Sequence, residues 1–327
     1  MRRPGPDVTI CVPAHQSQDL VSETLKSIAR QTHARLAVLV SVDASTDGTE
    51  EACRAFESDR RFRIVVQPRR LGWVSNVNFL LDRVRSDFFV ILPHDDLIAA
   101  DYVETLRAAA LAEPQAIVTY SDAQNFGDSS QARSVTGLEG PLSERVRALL
   151  VSDWIGGPWR GLTRSSILRD GVRMVDNSFE GYGADALWSL TLLCRGPFER
   201  VPRRLYRKRI DPGGRSLVQT WQRRSLQERF ARWAEHSAAC LRVIGDASAS
   251  DEERLRLVLV QIARALETGP GASKRGRPYD QQRREELVML AVLAARSLGI
   301  GELSTDALLS LRAERPLWKA ISALAEH

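Results

Sequence analysis

The sequence predicts a doubly wound α/β domain followed by a helical C-terminal region. Apolar, β-branched runs alternate with segments of helical spacing through the first hundred residues. The hydrophobicity of these runs is continuous and does not alternate, which is typical of strands covered on both faces in a mostly parallel sheet. Short strand–helix–strand connections require right-handed crossovers, with helices on both faces. From Trp221 onward the spacing is helical only.

Four strands and three helices are expected in the first hundred residues. The strands are expected at 8–14, 36–44, 62–68 and 88–93. The first helix, 20–31, has Val21, Leu25 and Ile28 at helical spacing. The second, 46–58, begins at Thr46 or Asp47 and is followed by the third at 73–85.

Beyond residue 100 we expect a helix, a strand, a mobile surface loop and a mixed segment. They are expected at 102–114, 116–126, 127–141 and 142–215. Ser250 and Glu253 form a capping-box pattern before a helix. A Gly/Pro/basic linker at 269–278 precedes another apolar helix at 281–298.

Composition narrows the class of protein. The net charge of +5 comes almost entirely from arginine, since only four of the 46 basic residues are lysines. The positive charges are dispersed among acidic residues, with no aromatic-basic platform, so we expect no nucleic-acid partner. Four scattered cysteines without a CxxC pair argue against a zinc site and indicate a reducing compartment.

No segment predicts membrane insertion. The N-terminus lacks an apolar signal segment, and the longest apolar stretch, 287–295, is about half of what a bilayer requires. We therefore expect a cytoplasmic protein without a transmembrane segment. Peripheral membrane association, and a homo-oligomer formed through the C-terminal helices, stay open.

Polar residues follow three of the expected strands. Pro13-Ala14-His15 follows the first, Asp43 the second and His94-Asp95-Asp96 the fourth. Ligands of such sheets bind beyond the carboxyl ends of the strands, so these three stretches are expected to meet in one crevice.

The adjacent carboxylates of Asp95 and Asp96 need a positive partner, because like charges a few ångströms apart repel. Mg²⁺ and Mn²⁺ prefer carboxylate oxygens and take one or two of them together with substrate phosphates. The pair therefore favours a divalent cation bridging to a diphosphate. The alternative is that both residues only cap the following helix.

The motifs "VTICVPAHQ", "VSVDASTDGT", "LGWVSNVN" and "FFVILPHDD" occur in this order. With them the chain resembles the family 2 glycosyltransferases of the GT-A fold, and the resemblance extends more weakly to about residue 216. It implies a GT-A catalytic domain at 1–216, with a nucleotide-binding half (1–100) and an acceptor-binding half (101–216). A helical region, 217–327, would follow.

The resemblance also implies the roles of the crevice residues. The nucleotide-binding residues would be Pro13, Ala14, His15, Asp43, Gly72, Ser75 and Asp95. Asp43 would accept a hydrogen bond from the base, or else only stabilise its loop as an Asx turn. Asn78 would brace the turn at Gly72. Asp96 would ligate Mn²⁺ or Mg²⁺.

An inverting transfer needs a carboxylate that takes the proton of the acceptor hydroxyl. In the family this base lies in a Glu-Asp pair at the start of a helix, and the matching residues here are Ala184 and Asp185. Asp185 is the expected base. Since the usual Glu is missing, Glu180 is kept as an alternative base, and a plain helix cap as an alternative role for Asp185.

Two further features are expected to flank the crevice. The resemblance implies that a basic loop at 203–216 closes over the diphosphate, with Arg209 or Arg215 neutralising it, and the alternative is a solvated basic turn. Trp154 and Trp159 could stack on an acceptor sugar or pack in the core.

The expected function is therefore a metal-dependent inverting glycosyltransferase. The donor would be a nucleotide-diphosphate sugar, with a uridine diphosphate sugar as the default. The acceptor would be a saccharide, a lipid-linked group or a small molecule. The alternatives are a sugar-phosphate nucleotidyltransferase, whose Gly-rich basic N-terminal motif is absent here, and an inactive binding protein of the same fold.

Overall fold

A computed structural model describes residues 5–152, 154–177, 180–210 and 224–268. Among these residues the strands form one nine-stranded sheet. They are β1 (Val8–Ala14), β2 (Leu36–Val42), β3 (Phe62–Val66), β4 (Phe88–Ile91), β5 (Leu97–Ile98), β6 (Val118–Gly127), β7 (Ala132–Arg133), β8 (Leu162–Arg164) and β9 (Phe198–Ile210). The strand order is β3-β2-β1-β4-β8-β6-β9-β5, with β7 paired to β6.

Helices cover both faces of the sheet, as the sequence predicts. They are α1 (Val21–Ala29), α2 (Thr49–Arg54), α3 (Trp73–Leu81), α4 (Tyr102–Ala112), α5 (Leu142–Val151), α6 (Ser166–Arg169), α7 (Ala184–Leu193), α8 (Leu226–Ala247) and α9 (Asp251–Thr268). One apolar core lies between the sheet and α1, α2 and α4. The other core includes α3, α5, α7, α8 and α9.

The mixed sheet combines two parts with different strand directions. β3, β2, β1 and β4 are parallel, which confirms the expected doubly wound half. β8 then runs antiparallel to both β4 and β6 and joins the second half to the first. β6 and β9 are parallel to each other, so the long strand β9 reaches back toward the carboxyl ends of β1 and β4.

The stretch at 127–141 is more structured than expected. It contains β7, and Val135 and Leu138 are buried in the core. The hydroxyl of Tyr120 donates to the carbonyl of Val135 at 2.7 Å, and the amide of Phe198 donates to that of Leu138 at 2.9 Å. The polar composition of the stretch hides these two apolar anchors.

The described C-terminal helices pack onto the domain. The indole of Trp233 in α8 donates to the carbonyl of Ala265 in α9 at 2.8 Å. Arg264 in α9 donates to the carbonyls of Leu150 and Ser152 at the end of α5. Half of the expected capping box of α9 is present, since Ser250 Oγ accepts from the amide of Glu253 at 3.2 Å, but the Glu253 carboxylate accepts from the amide of Ala249 at 3.0 Å. None of the described helices combines the length and apolarity needed to span a bilayer.

The expected domain limit at residue 216, the linker at 269–278 and the helix at 281–298 lie outside the described residues. The division into domains therefore stays a prediction.

A buried ion cluster closes the end of the sheet opposite to the crevice. Asp7 is 3% exposed, and its carboxylate lies 2.7 Å from His33 Nε2, 2.8 Å from Arg107 and 3.5 Å from Arg35. Burial raises the pKa of Asp7, but the hydrogen bond from His33 and the three nearby cations outweigh it. The net effect holds this pKa below its usual range.

We expect Asp7→Ala to lower the free energy of unfolding at pH 7 by about 3 kcal/mol, since one partner of a buried ion pair is removed. A folded-state pKa below the unfolded value contributes stability that is present above the unfolded value and lost as pH falls through the folded one. The difference between wild type and variant should thus hold from pH 7 to 5 and shrink below about pH 4. Urea unfolding at each pH measures it, with the exposed Asp170→Ala as control. A difference independent of pH would contradict the ion-pair origin.

Candidate active site

The carboxyl ends of β1, β2 and β4 meet in one crevice. The amide of Asp43, just after β2, donates to the carbonyl of Ala14 at the end of β1 at 2.8 Å. From α1, Thr24 Oγ1 lies 2.8 Å from the carbonyl of His94 and 2.9 Å from that of Asp96. These bonds fix the three sequence stretches next to one another. Pro13 and Ala14 are buried in the wall of the crevice.

Asp43 fixes the turn before α3. Its side chain is 2% exposed, and its two oxygens accept from the amides of Leu71 at 2.6 Å and Gly72 at 3.0 Å. Gly72 has a φ of 87°, a left-handed conformation that favours glycine. Asp43 thus stabilises the distant turn before α3 through these bonds and not its own loop through an Asx turn, and its hydrogen bond to a base stays a prediction.

Two histidines border the crevice with their rings fixed in the same way. His15 Nδ1 lies 2.8 Å from the carbonyl of Asp43, and His94 Nδ1 lies 3.2 Å from that of Pro13. Because a carbonyl can only accept, each Nδ1 carries a proton. Both rings are half-buried, and their Nε2 atoms remain for a ligand.

The start of α3 is anchored differently from the expectation. The side chain of Asn78 exchanges two hydrogen bonds with the backbone of Met174, at 2.9 and 3.0 Å, and thus braces the segment 172–176 instead of Gly72. Asn76, which sequence reasoning missed, ties α3 to β2 by donating to the carbonyl of Ser41 at 3.1 Å. Ser75 lies on the exposed side, 3.4 Å from a carboxylate oxygen of Asp176.

The two adjacent aspartates have opposite environments, and Asp96 is turned inward. It is 1% exposed, and both of its oxygens face groups that come from later in the chain. The hydroxyl of Tyr206 donates to Oδ2 at 2.6 Å, and the amide of Arg209 donates to Oδ1 at 2.8 Å. Arg160 Nε lies 3.5 Å from Oδ2.

Asp95 keeps its carboxylate open. Within the described part of the chain, no side chain or amide donates a hydrogen bond to it. Burial and the neighbouring charge of Asp96 raise the pKa of Asp95, against the weaker influence of His94, Lys208 and Arg160. Repulsion between the two carboxylates is thus seen as a raised pKa of Asp95.

The carboxylates at this turn suit a divalent cation whose other ligands come mainly from the substrate phosphates. No cluster of three or more His, Cys, Asp or Glu side chains suited to a metal ion occurs in the described ranges. A single open carboxylate matches the usual mode of Mg²⁺, which binds one or two carboxylates, waters and substrate phosphates. Both oxygens of Asp96 accept hydrogen bonds from within the protein, and its expected role as the metal ligand stays a prediction.

Asp185 lies at the second residue of α7. Its Oδ1 accepts from the amide of Ala186 at 2.9 Å, so the negative charge sits at the positive end of the helix. The carboxylate rests on the backbone of Gly156, where a Cβ would be 2.5 Å from Asp185 Oδ2. Glycine is therefore required at 156 for this position of Asp185.

The loop before α7 is held between two helices. Gly181 packs against Trp73 and Val74 of α3, and Gly183 packs against the ring of His236 in α8. Burial lowers the pKa of His236 to about 4, so this ring is neutral at physiological pH. The alternative base, Glu180, has a side chain 65% exposed and lies 3.8 Å from Arg224.

The basic strand β9 supplies Arg209 to the crevice. Trp154 and Trp159 pack against the core instead. Arg209 Nε donates to the carbonyl of Asp95 at 3.1 Å, and its guanidinium also pairs with Glu23. Arg215 lies outside the described residues. Trp159 is 1% exposed, which confirms the packing role, and the half-buried Trp154 has Gly157 against its ring.

The glycosyl transferase family 2 model matches residues 9–171. Glycosyltransferase GlyA of Streptococcus pneumoniae is 29% identical over 123 residues, which cover 37% of this chain and 17% of that protein. The putative teichuronic acid biosynthesis glycosyltransferase TuaG of Bacillus subtilis is 27% identical over 100 residues, 30% of this chain and 40% of TuaG. The matched segments thus span less than half of these relatives.

Similarity to a solved structure extends over nearly the whole chain. The structure of S. aureus TarS 1–349 in complex with UDP superimposes with a TM-score of 0.69 at 16% sequence identity. The match covers 98% of this chain and 88% of the TarS chain. At this identity the likeness establishes the fold alone, and that fold is the one expected from the motifs.

Proposed function

Because this chain is a family 2 glycosyltransferase with its family domain at residues 9–171, we propose that it transfers a sugar from a nucleoside-diphosphate donor to an acceptor hydroxyl with inversion. One observation carries the proposal. The turn that carries Asp95 and Asp96 is connected to the carboxylate of Asp185 through Arg160, whose Nε lies 3.5 Å from Asp96 and whose Nη1 donates to Gly156, the residue on which Asp185 rests.

The donor diphosphate is proposed to bind at the carboxyl ends of β1, β2 and β4. With Nδ1 protonated, the Nε2 atoms of His15 and His94 are acceptors that can take a hydrogen bond from a ribose hydroxyl, and Asp43 holds the turn at Gly72 where the backbone can approach the nucleotide. Mg²⁺ or Mn²⁺, held by Asp95, would neutralise the charge that develops on the leaving diphosphate.

The acceptor hydroxyl is proposed to lie against Asp185, which takes its proton as the oxygen attacks the anomeric carbon. Asp185 suits this role because its carboxylate lies at a helix N-terminus and has no side-chain donor bonded to it among the described residues. The loop 180–183, fixed between α3 and α8, keeps it in place. The acceptor class stays open among saccharides, lipid-linked groups and small molecules.

Uridine diphosphate is the donor nucleotide to test, since the TarS structures include complexes with UDP and with UDP-GlcNAc. We expect UDP to raise the melting temperature only when Mn²⁺ or Mg²⁺ is present. A ligand at 100 times its Kd stabilises the folded state by about 2.7 kcal/mol. Differential scanning fluorimetry with UDP and with UMP, each with Mn²⁺ or EDTA, measures this. An equal shift for UDP in EDTA would exclude metal-coupled binding, and no shift with UDP, GDP, CDP, ADP or dTDP would exclude the donor site itself.

A further inference from the structure

Arg160 is a buried cation at the centre of the crevice that sequence reasoning did not single out. It ends a short 3₁₀ turn, Pro158–Arg160, which leads into β8. Only 8% of the residue is exposed. A charge at this depth is retained only when paired, so its partners show what it does.

The side chain of Arg160 contacts both halves of the site. Its Nε lies 3.5 Å from Asp96 Oδ2, and its Nη1 donates to the carbonyl of Gly156. Gly156 is the residue against which the carboxylate of Asp185 rests. One planar guanidinium therefore joins the turn that carries Asp95 and Asp96 to the surface that positions Asp185.

The carboxylates around Arg160 are the same ones to which the proposed reaction gives roles. Burial alone would lower its pKa, but Tyr206, Asp96, Asp185 and Asp95 together raise it, so the guanidinium stays ionised. The Nε–H is buried and has no hydrogen-bond partner in the described part of the chain. The ring of Trp159, 4.6 Å from the guanidinium carbon, lies over it and restricts its orientation.

We propose that Arg160 is a positioning residue that holds the metal-side carboxylates and Asp185 at a fixed separation. This inference rests on the proposed function. An arginine is needed because its rigid fork presents N–H groups in two directions, whereas a lysine can satisfy Asp96 or Gly156 but not both in the same geometry. A shift of about 1 Å in such a site can cost about 100-fold in rate.

Two variants test the connection from its two ends. Arg160→Lys keeps the charge beside Asp96 and removes the bond to Gly156. Gly156→Ala keeps Arg160 and displaces the carboxylate of Asp185, because the new methyl would lie 2.5 Å from its Oδ2. Tyr120→Phe, which loses a buried 2.7 Å hydrogen bond to Val135, is the control for lost stability without a change at the site.

The measurements are the Kd of UDP with Mn²⁺, by calorimetry, and the rate of UDP release at saturating donor. The donor is whichever of UDP-GlcNAc, UDP-glucose and UDP-galactose the wild type hydrolyses fastest. We expect each site variant to lose about 100-fold in the rate with the Kd within about threefold of wild type. Tyr120→Phe should leave both unchanged. If Arg160→Lys does not fold, Arg160→Gln, whose shorter side chain can reach only one of the two partners, takes its place, because Gly156→Ala leaves Arg160 intact.

Wild-type rates in both site variants, or rates that fall only in proportion to UDP affinity, would overturn the positioning role while leaving the proposed function intact. A wild-type protein that neither binds UDP with Mn²⁺ nor releases UDP from these donors would overturn the proposed uridine-nucleotide function, and the role of Arg160 with it.

Discussion

Asp185→Asn is expected to lower the turnover of sugar transfer by about two to four orders of magnitude, the usual contribution of a general base. The affinity for UDP should stay within about threefold of wild type, because Asp185 is proposed to touch the acceptor and not the nucleotide. Release of UDP from a sugar donor at saturation measures turnover, and calorimetry measures affinity. Release of UDP with water as the acceptor also measures turnover, since the attacking water must lose a proton as an acceptor hydroxyl does.

The substitution separates catalysis from helix capping. Asn and Asp have the same shape and similar preference for the start of a helix. The hydrogen bond that the carboxylate accepts from the amide of Ala186, at 2.9 Å, can be kept by the Asn side-chain oxygen. A variant that folds as wild type and loses turnover therefore reports the missing proton acceptor. Wild-type turnover in Asp185→Asn would reduce Asp185 to a cap.

Glu180→Gln is the matched control for the second carboxylate near this loop. Its side chain is 65% exposed and its nearest described cation is Arg224, at 3.8 Å, so we expect activity to be unchanged. Loss of turnover in Glu180→Gln together with normal turnover in Asp185→Asn would transfer the role of base to Glu180. Full activity in both would contradict the inverting mechanism.

The place of the site could be predicted from the sequence because the signal is local. Continuous apolar runs mark buried parallel strands, and the residue directly after each run must lie at the same edge of the sheet. This puts Ala14, Asp43 and the turn at 94–96 together, as the bonds from Asp43 to Ala14 and from Thr24 to the turn show. The core role of Trp159 could not be decided locally, because it depends on β8 joining two distant strands.

The environments of Asp95 and Asp96 could not be predicted, because their partners are far away in the chain. Tyr206 and Arg209 follow Asp96 by 110 and 113 positions and reach it only through the long strand β9. The "WRG" context of Arg160 carries no local sign that its side chain turns into the crevice. The hydrophobic pattern of the sequence places two aspartates at a strand end. Only the tertiary fold decides which of the two carboxylates has no hydrogen-bond donor from the described residues.

This asymmetry leads to the second large effect, a pair of substitutions with opposite outcomes. Asp95→Asn should abolish the Mn²⁺ dependence of UDP binding without loss of stability. The carboxylate that is removed has no hydrogen-bond donor among the described residues, and its charge repels that of Asp96. Asp96→Asn should instead lower the free energy of unfolding by about 3–5 kcal/mol, the cost of leaving a buried partner charge unpaired. That partner is Arg160, at 3.5 Å, and the amide of Arg209 and the hydroxyl of Tyr206 lose a charged acceptor as well.

Urea unfolding of the two variants and fluorimetry with UDP, with and without Mn²⁺, distinguish the two aspartates. Both substitutions remove one negative charge from the same turn, so each is the control for the other, and a general change in electrostatic potential would affect them equally. If Asp96→Asn keeps wild-type stability and loses the Mn²⁺ dependence while Asp95→Asn retains it, Asp96 is the metal ligand that the family resemblance implies. The inward hydrogen bonds of Asp96 would then have to break when the donor binds, with β9 moving away from the 94–96 turn. The opposite result would establish Asp96 as the structural anchor and Asp95 as the carboxylate that meets the cation.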